Sequence, residues 1–162
     1  MTKPFSGLTT EEYRGHSDKI TSAAWSCDGR RIATCSTINL IVWFTNSKQS
    51  LKLHGHKTNI ERVIWDAKDV NKLMSVSLLE IRVWQLEGQK GFRCTNVINI
   101  GASGSKISVC RSQDGEKIAV ATSSTLGKFD TILFIDTSND LNRAQYETDY
   151  LVLSAINWRS TK

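Results

Sequence analysis

The sequence has little of what marks several large classes of protein. Its 162 residues include one proline, Pro4, and no Gly/Ser-rich or Pro-rich stretch that would separate two domains. The longest apolar run, Leu40 to Phe44, has the length of one strand, whereas a membrane-spanning helix needs about 20 apolar residues. No apolar stretch follows Met1 as it would in a signal peptide. We therefore expect a single intracellular domain that is not inserted in a membrane.

Metal-binding and nucleophilic residues are also scarce. The four cysteines include no Cys-x-x-Cys pair, and the chain has three histidines. A structural zinc site needs four grouped ligands, so we expect no metal. We interpret His56 as the repeat histidine and place His54 at the end of the preceding strand. The chain also lacks a Gly-x-Ser-x-Gly elbow and a complete phosphate-binding loop. We expect no catalytic residues and no cofactor.

The charge of the chain is moderately basic but dispersed. The net charge is +5, and Arg30-Arg31 is the only pair of adjacent basic residues. A cluster of five or more Lys and Arg would indicate nucleic-acid binding, and no such cluster occurs. Weak or indirect RNA contact, and direct RNA binding through a basic surface as an alternative function, remain open.

An internal repeat is the most informative feature of the sequence. Its anchors recur at spacings of 40 or 41 residues: Gly15-His16 and Gly55-His56, Trp25 and Trp65, and Trp43 and Trp84. A period near 40, with Gly-His early and Trp late, is typical of the four-stranded blades of a WD-type β-propeller. The repeat therefore predicts an all-β fold.

The segments between the anchors predict strands. Asp28-Gly29 predicts a tight turn, because glycine readily adopts a positive φ. The first two copies contain short runs rich in β-branched and aromatic residues. These runs are Ile20 to Trp25, Arg31 to Ser36, Leu40 to Phe44, Ile60 to Trp65, Lys72 to Ser77 and Glu80 to Gln85.

A third copy is degenerate, and a fourth is incomplete. The third has the runs Ile107 to Cys110, Ile118 to Thr122 and Thr131 to Asp136, and the fourth begins at Tyr150 and reaches Trp158. We interpret residues 13–162 as a partial WD40-type β-propeller of about three blades plus the first strand of a fourth. Residues 1–12 form an N-terminal segment that is a candidate closing outer strand. Open blade faces favour dimerisation, because each blade normally packs on a neighbour.

Two stretches resemble a known family of WD-repeat proteins. Residues Trp25 to Arg31, following His16-Ser17, resemble the first repeat of the THO complex subunit 3 family. Residues Ile107 to Cys110, with Asp114-Gly115 and Phe134 to Asp136, are similar to its third repeat. The resemblance implies the N-terminal half of a seven-bladed nuclear docking subunit, without an active site, in the THO/TREX assembly for messenger RNA export. The alternative is another WD adaptor, such as a ubiquitin-ligase receptor or a histone-binding module.

The repeat also predicts which side chains hold the blades together. WD repeats commonly bond the Gly-His imidazole to a Ser or Thr and to an Asp in the turn before the last Trp strand. The corresponding turns here, residues 37–39 and 78–79, have no Asp, so we expect His16 to bond Ser36 and His56 to bond Ser77. We expect the repeated aromatic residues to pack between blades. They are Trp25, Trp43, Trp65, Trp84, Phe134 and Trp158, with Arg111 at the position of Trp25 and Trp65 in the third copy.

A candidate partner-binding rim lies where the innermost strands begin. Lys19, Asn59 and Lys106 directly precede Ile20, Ile60 and Ile107. These side chains should line up around the propeller, and loops on a rigid scaffold commonly carry recognition. The expected partners are the other protein subunits of a multi-subunit complex.

Overall fold

The computed structural model describes residues 9–100, 104–112, 114–124, 130–136 and 143–148. Twelve strands in these ranges form three four-stranded sheets, and each sheet is an antiparallel meander in chain order. The described residues contain no α-helix, and their one 3₁₀ turn is Gly88–Lys90. The predicted fourth copy, including Trp158, lies outside the described residues.

Each sheet corresponds to one sequence repeat and is called a blade. The first blade contains β1 (Ser22–Trp25), β2 (Arg31–Cys35), β3 (Leu40–Phe44) and β4 (Ser50–Leu53). The second contains β5 (Ile60–Trp65), β6 (Lys72–Ser77), β7 (Glu80–Leu86) and β8 (Phe92–Asn99). The third contains β9 (Gly104–Arg111), β10 (Lys117–Ser124), β11 (Asp130–Asp136) and β12 (Arg143–Thr148).

The predicted strand positions are confirmed for β3, β5 and β6 and shift by one to three residues elsewhere. The first strand begins at Ser22 and not at Ile20, and the described residues 9–12 form no strand. The outermost strands β4, β8 and β12 contain no repeat anchor, and the sequence did not place them.

The turns between the first two strands of the first and third blades have the same geometry. In the first blade, Gly29 has a φ of 67°, and Asp28 accepts hydrogen bonds from the Ser26 hydroxyl and the Arg30 amide at 2.5 and 3.1 Å. In the third blade, Gly115 has a φ of 77°, and Asp114 accepts equivalent bonds at 2.5 and 2.9 Å. These bonds lower the pKa of both carboxyl groups. The predicted Asp28-Gly29 turn is thus present, and Asp114-Gly115 forms the same turn.

The core lies between the blades. The interface of blades one and two is formed by Ala33, Cys35, Leu40, Val42 and Leu53 against Ile60, Val63, Trp65, Leu73 and Trp84. The interface of blades two and three is formed by Met74, Val76, Ile81, Val83 and Ile98 against Ile118, Val120, Leu133 and Ile135. Alternate residues of the second blade serve opposite interfaces because successive side chains of a strand point to opposite faces.

Candidate functional site

A chain of polar contacts inside the second blade joins two of its strands, β6 and β7, to the preceding loop. The indole nitrogen of Trp84 donates to the Ser75 hydroxyl at 2.8 Å, and that oxygen lies 2.6 Å from Nε2 of His56. On the other side of the ring, His56 Nδ1 lies 3.1 Å from a carboxylate oxygen of Glu80. This last contact is electrostatic and is not an aligned hydrogen bond.

The protonation state of His56 follows from its surroundings. Its side chain is 1% exposed. Burial lowers the pKa of His56 to about 4 against the opposing effect of the Glu80 carboxylate, so the imidazole is neutral at pH 7. A proton on Nδ1 faces Glu80, which leaves Nε2 to accept the Ser75 hydroxyl proton, and we assign this tautomer from the contacts.

The first blade has the same arrangement without a carboxylate. His16 Nε2 lies 2.7 Å from the Thr34 hydroxyl, which also accepts the indole N–H of Trp43 at 2.7 Å. His16 Nδ1 lies 2.9 Å from the Ser36 hydroxyl. Burial, and next the positive charge of Lys52, lower the pKa of His16. Both arrangements link a loop to two strands, which is a structural use of histidine.

One predicted partner is corrected. His16 and Ser36 are in contact as expected, but Ser77 does not bond His56: its hydroxyl donates to the Glu80 carbonyl at 3.1 Å. Ser75 aligns with Thr34 and contacts Nε2 as Thr34 does in the first blade, whereas Glu80, and not Ser77, lies against Nδ1. Glu80 replaces the aspartate that WD turns commonly have. In the sequence, the spacing of 41 residues between Thr34 and Ser75 could have identified Ser75 as the partner of His56.

The aromatic anchors divide into buried and exposed residues. Trp43, Trp65 and Trp84 are buried as expected, but Trp25 is 59% exposed, which corrects its assignment to the core. Trp65 packs at the interface with the first blade, whereas the equivalent face of the first blade has no described blade against it. Trp43 is covered by Tyr13, whose ring packs edge-on against the indole with 5.6 Å between the ring centroids.

In the third blade the anchor positions hold different residues. Arg111 pairs with Ile118 as Trp65 pairs with Leu73, so Arg111 occupies the predicted tryptophan position. Its Nε and Nη2 atoms are buried without a hydrogen-bond partner among the described residues. Burial lowers the pKa of Arg111. The guanidinium is therefore a poor replacement for an indole in this core.

The assignment of Phe134 is wrong by one residue. Trp84 pairs with Leu73, and the equivalent pair in the third blade is Ile135 with Ile118. Phe134 pairs with Ala119 and so lies on the opposite face of the sheet from Ile135. A shift of one residue reverses the face of every side chain in a strand, and the aromatic character of Phe134 hid this shift.

One end of the blades presents a mixed apolar and basic surface, which we call the rim. The first strand of each blade, β1, β5 or β9, begins at this end. Lys19, Asn59 and Lys106 lie at or next to these strand starts and therefore belong to the rim. Lys19 and Asn59 are exposed, and Lys106 pairs with Ser123 through its backbone.

The rim also carries apolar residues that the sequence did not reveal as a site. Ile20, Ile38 and Leu79 are 50%, 50% and 47% exposed. Ile38 and Leu79 lie in equivalent turns. Each turn accepts a backbone hydrogen bond from a residue further along the chain; in the first blade, the Thr37 carbonyl accepts from the Ile60 amide at 2.6 Å. The sequence pattern that could have indicated this apolar surface is the spacing of 41 residues between Ile38 and Leu79. Both residues lie in turns where other WD repeats commonly carry an aspartate.

The residues considered as metal ligands do not converge. His54 is exposed and His56 is buried, so their neighbourhood in sequence does not make a site. Across the described ranges, no group of three or more His, Cys, Asp or Glu side chains is placed to hold a metal ion. No helix in those ranges is long and apolar enough to span a bilayer.

Solved structures define the class of this fold. The β-propeller domain of Cps50 (Swd1) from Myceliophteria thermophila matches with a TM-score of 0.66 at 12% identity, over 90% of this chain and 47% of that one. U3-55K matches with a TM-score of 0.69 at 14% identity, over 90% of this chain and 44% of that one. The WD40 repeats of RRP9 match equally well, with a TM-score of 0.69. The chain is thus a partial WD40-type β-propeller.

Curated relatives sharpen this assignment. The chain is 30% identical over 126 residues to THO complex subunit 3 of Arabidopsis thaliana, which covers 74% of this chain and 38% of that protein. It is 24% identical over 178 residues to WD repeat-containing protein AAC3 of Dictyostelium discoideum, covering 95% of this chain and 35% of that one. The chain thus spans a little over a third of the length of these relatives. No protein-family model matches it.

Proposed function

We propose that this chain is a non-enzymatic docking subunit of a THO/TREX-type assembly in the nucleus, where it holds protein partners during the packaging and export of messenger RNA. The collinear similarity to THO complex subunit 3 carries this proposal. That similarity extends over 126 residues, 74% of the chain.

The composition of the rim supports protein docking. Apolar side chains at Ile20, Ile38 and Leu79 lose contact with water when a partner covers them, and Lys19 adds attraction for an acidic partner. Interfaces combine an apolar centre with a polar edge in this way. The histidines that would be candidates for catalysis, His16 and His56, are engaged in the blade cores.

The test is a pull-down of the tagged chain from nuclear extract, read by mass spectrometry. We expect other THO subunits to be recovered with the wild-type chain. The double variant Lys19→Glu, Lys106→Glu should recover much less of them with an unchanged Tm, because both substitutions are placed at the rim. Full recovery with this variant would remove the basic residues from the docking surface. Recovery of ubiquitin-ligase or histone partners instead would assign another WD adaptor function.

Direct RNA binding is the second candidate, favoured by the net charge of +5. Phosphate contacts release counterions, so an RNA-binding chain shows a steep fall of affinity with salt. A 20-nucleotide RNA titrated between 50 and 200 mM salt distinguishes the two functions. Under the docking proposal, partner recovery survives treatment of the extract with ribonuclease.

A further inference from the structure

A groove between the first two blades lies at the end opposite the rim. It has a volume of about 510 Å³ and is lined by the apolar side chains of Phe44, Leu51 and Leu86 and by Ser50, Lys90 and Gly91. A groove of this size accommodates one or two side chains of a ligand. Because this groove and the rim lie at opposite ends, an occupant of one leaves the other free.

The outer edge of the first blade borders this groove. Within the described ranges, β4 is the last strand of its sheet and pairs with β3 alone, and its residues Ser50 and Leu51 line the groove. An edge strand presents unpaired backbone N–H and C=O groups. An extended peptide can pair with such an edge and place alternate side chains in an adjacent groove.

The charge at the groove selects the kind of peptide. Lys90 is the one charged residue in its lining, it is exposed, and it forms no ion pair within the described residues. The nearest acidic side chain along the chain, Glu87, is already paired with Arg93 at 2.6 Å. Lys48, which directly precedes the lining residue Gln49, is also exposed. The surroundings therefore attract acidic groups.

The backbone of Lys48 gives a second reason to examine this end of the groove. Lys48 has a φ of 55°, the one positive φ of a non-glycine residue in the described chain. Glycine would adopt this conformation without strain, and strained backbone positions cluster at binding sites. A lysine in this position retains a positive charge at a cost in stability.

We infer that the groove between β4 and the Gly88–Lys90 turn binds an extended peptide of a partner protein. The peptide carries an apolar side chain that enters between Phe44, Leu51 and Leu86, next to acidic residues that face Lys90 and Lys48. This site is independent of the rim and of the proposed THO function.

The inference is tested by selection from a phage-displayed library of random dodecapeptides on the purified chain. We expect the enriched peptides to combine one branched or aromatic residue with two or more acidic residues. The affinities of synthesised, fluorescein-labelled winners are then measured by fluorescence polarisation. Enrichment of basic peptides, or the absence of any consensus, would overturn the inference.

Three variants locate the binding. Lys90→Glu should weaken binding by about tenfold, which corresponds to a loss of about 1.4 kcal/mol. Lys48→Gly should weaken it several-fold while raising the Tm by about 2–4 °C, because glycine relieves the strain. Lys57→Glu, an exposed lysine at the opposite end, is the matched control and should leave binding unchanged.

Each outcome has a defined meaning. If Lys90→Glu binds the winners as tightly as the wild type, or if Lys57→Glu weakens them equally, the groove is not the site. If a uridine dodecamer displaces the peptides from the wild type but not from Lys90→Glu, the groove binds nucleic acid and the inference is wrong. None of these results bears on the nuclear pull-down, so the two proposals fail separately.

Discussion

The neutral, buried imidazole of His56 should make the stability of the protein depend on pH. In the unfolded chain His56 takes up a proton near pH 6.5, whereas the folded chain resists protonation until about pH 4. Unfolding is therefore favoured as the pH falls through this range, and the stabilising contribution is complete above pH 6.5. Each pKa unit corresponds to about 1.4 kcal/mol, so the full contribution is about 3 kcal/mol.

Urea denaturation at a series of pH values between 7 and 4.5 measures this effect. Asp28 and Asp114 stay ionised in that range because their pKa values are lowered, so their titration affects the free energy of unfolding only in more acidic solution. The variant His56→Gln removes the titrating group and supplies the comparison, since His16 contributes equally to both proteins. We expect the free energy of unfolding of the wild type to fall faster with acid than that of the variant. Parallel curves would refute the buried, neutral state of His56.

Three further predictions concern stability and are checked by urea denaturation at pH 7. Gly29→Ala should lower the free energy of unfolding by about 1 kcal/mol through backbone strain alone. Gly115→Ala should lower it further, because the new Cβ would also lie 2.6 Å from Cβ of Ala67 in the second blade. Equal losses for the two variants would contradict this packing. Trp84→Ala should cost about 3–5 kcal/mol and Trp25→Ala about 1 kcal/mol or less, so the reverse order would contradict their burial. Arg111→Leu should stabilise by about 1–2 kcal/mol, since it removes two buried nitrogens without partners; a loss would indicate an essential contact of the guanidinium.

The repeat allowed the blade architecture to be predicted from the sequence. The spacing of Trp25, Trp65, Trp43 and Trp84 is imposed by one strand pattern that recurs, so it predicts both the fold and most strand positions. The outermost strands β4, β8 and β12 contain no repeat anchor, and they were not placed.

The errors at individual sites have two physical causes. Ser77 aligns with Ser36, but Glu80 lies against Nδ1 of His56 where Ser36 lies against that of His16. Ile135 was missed in favour of Phe134 because residue type was weighed before strand register. Register determines which face a side chain occupies, and it is a property of paired strands and not of one segment. The exposure of Trp25 depends on what packs against the first blade, which no pattern within the blade contains.

Cross-linking of the lysines within an assembled THO complex tests the docking account most directly. The complex is co-purified with the tagged chain, treated with a lysine-reactive cross-linker and analysed by mass spectrometry. The account predicts cross-links from the rim lysines Lys19 and Lys106 to other THO subunits. If the complex assembles and cross-links internally while these lysines join only residues of their own chain, the rim is not the docking surface and the central claim is wrong.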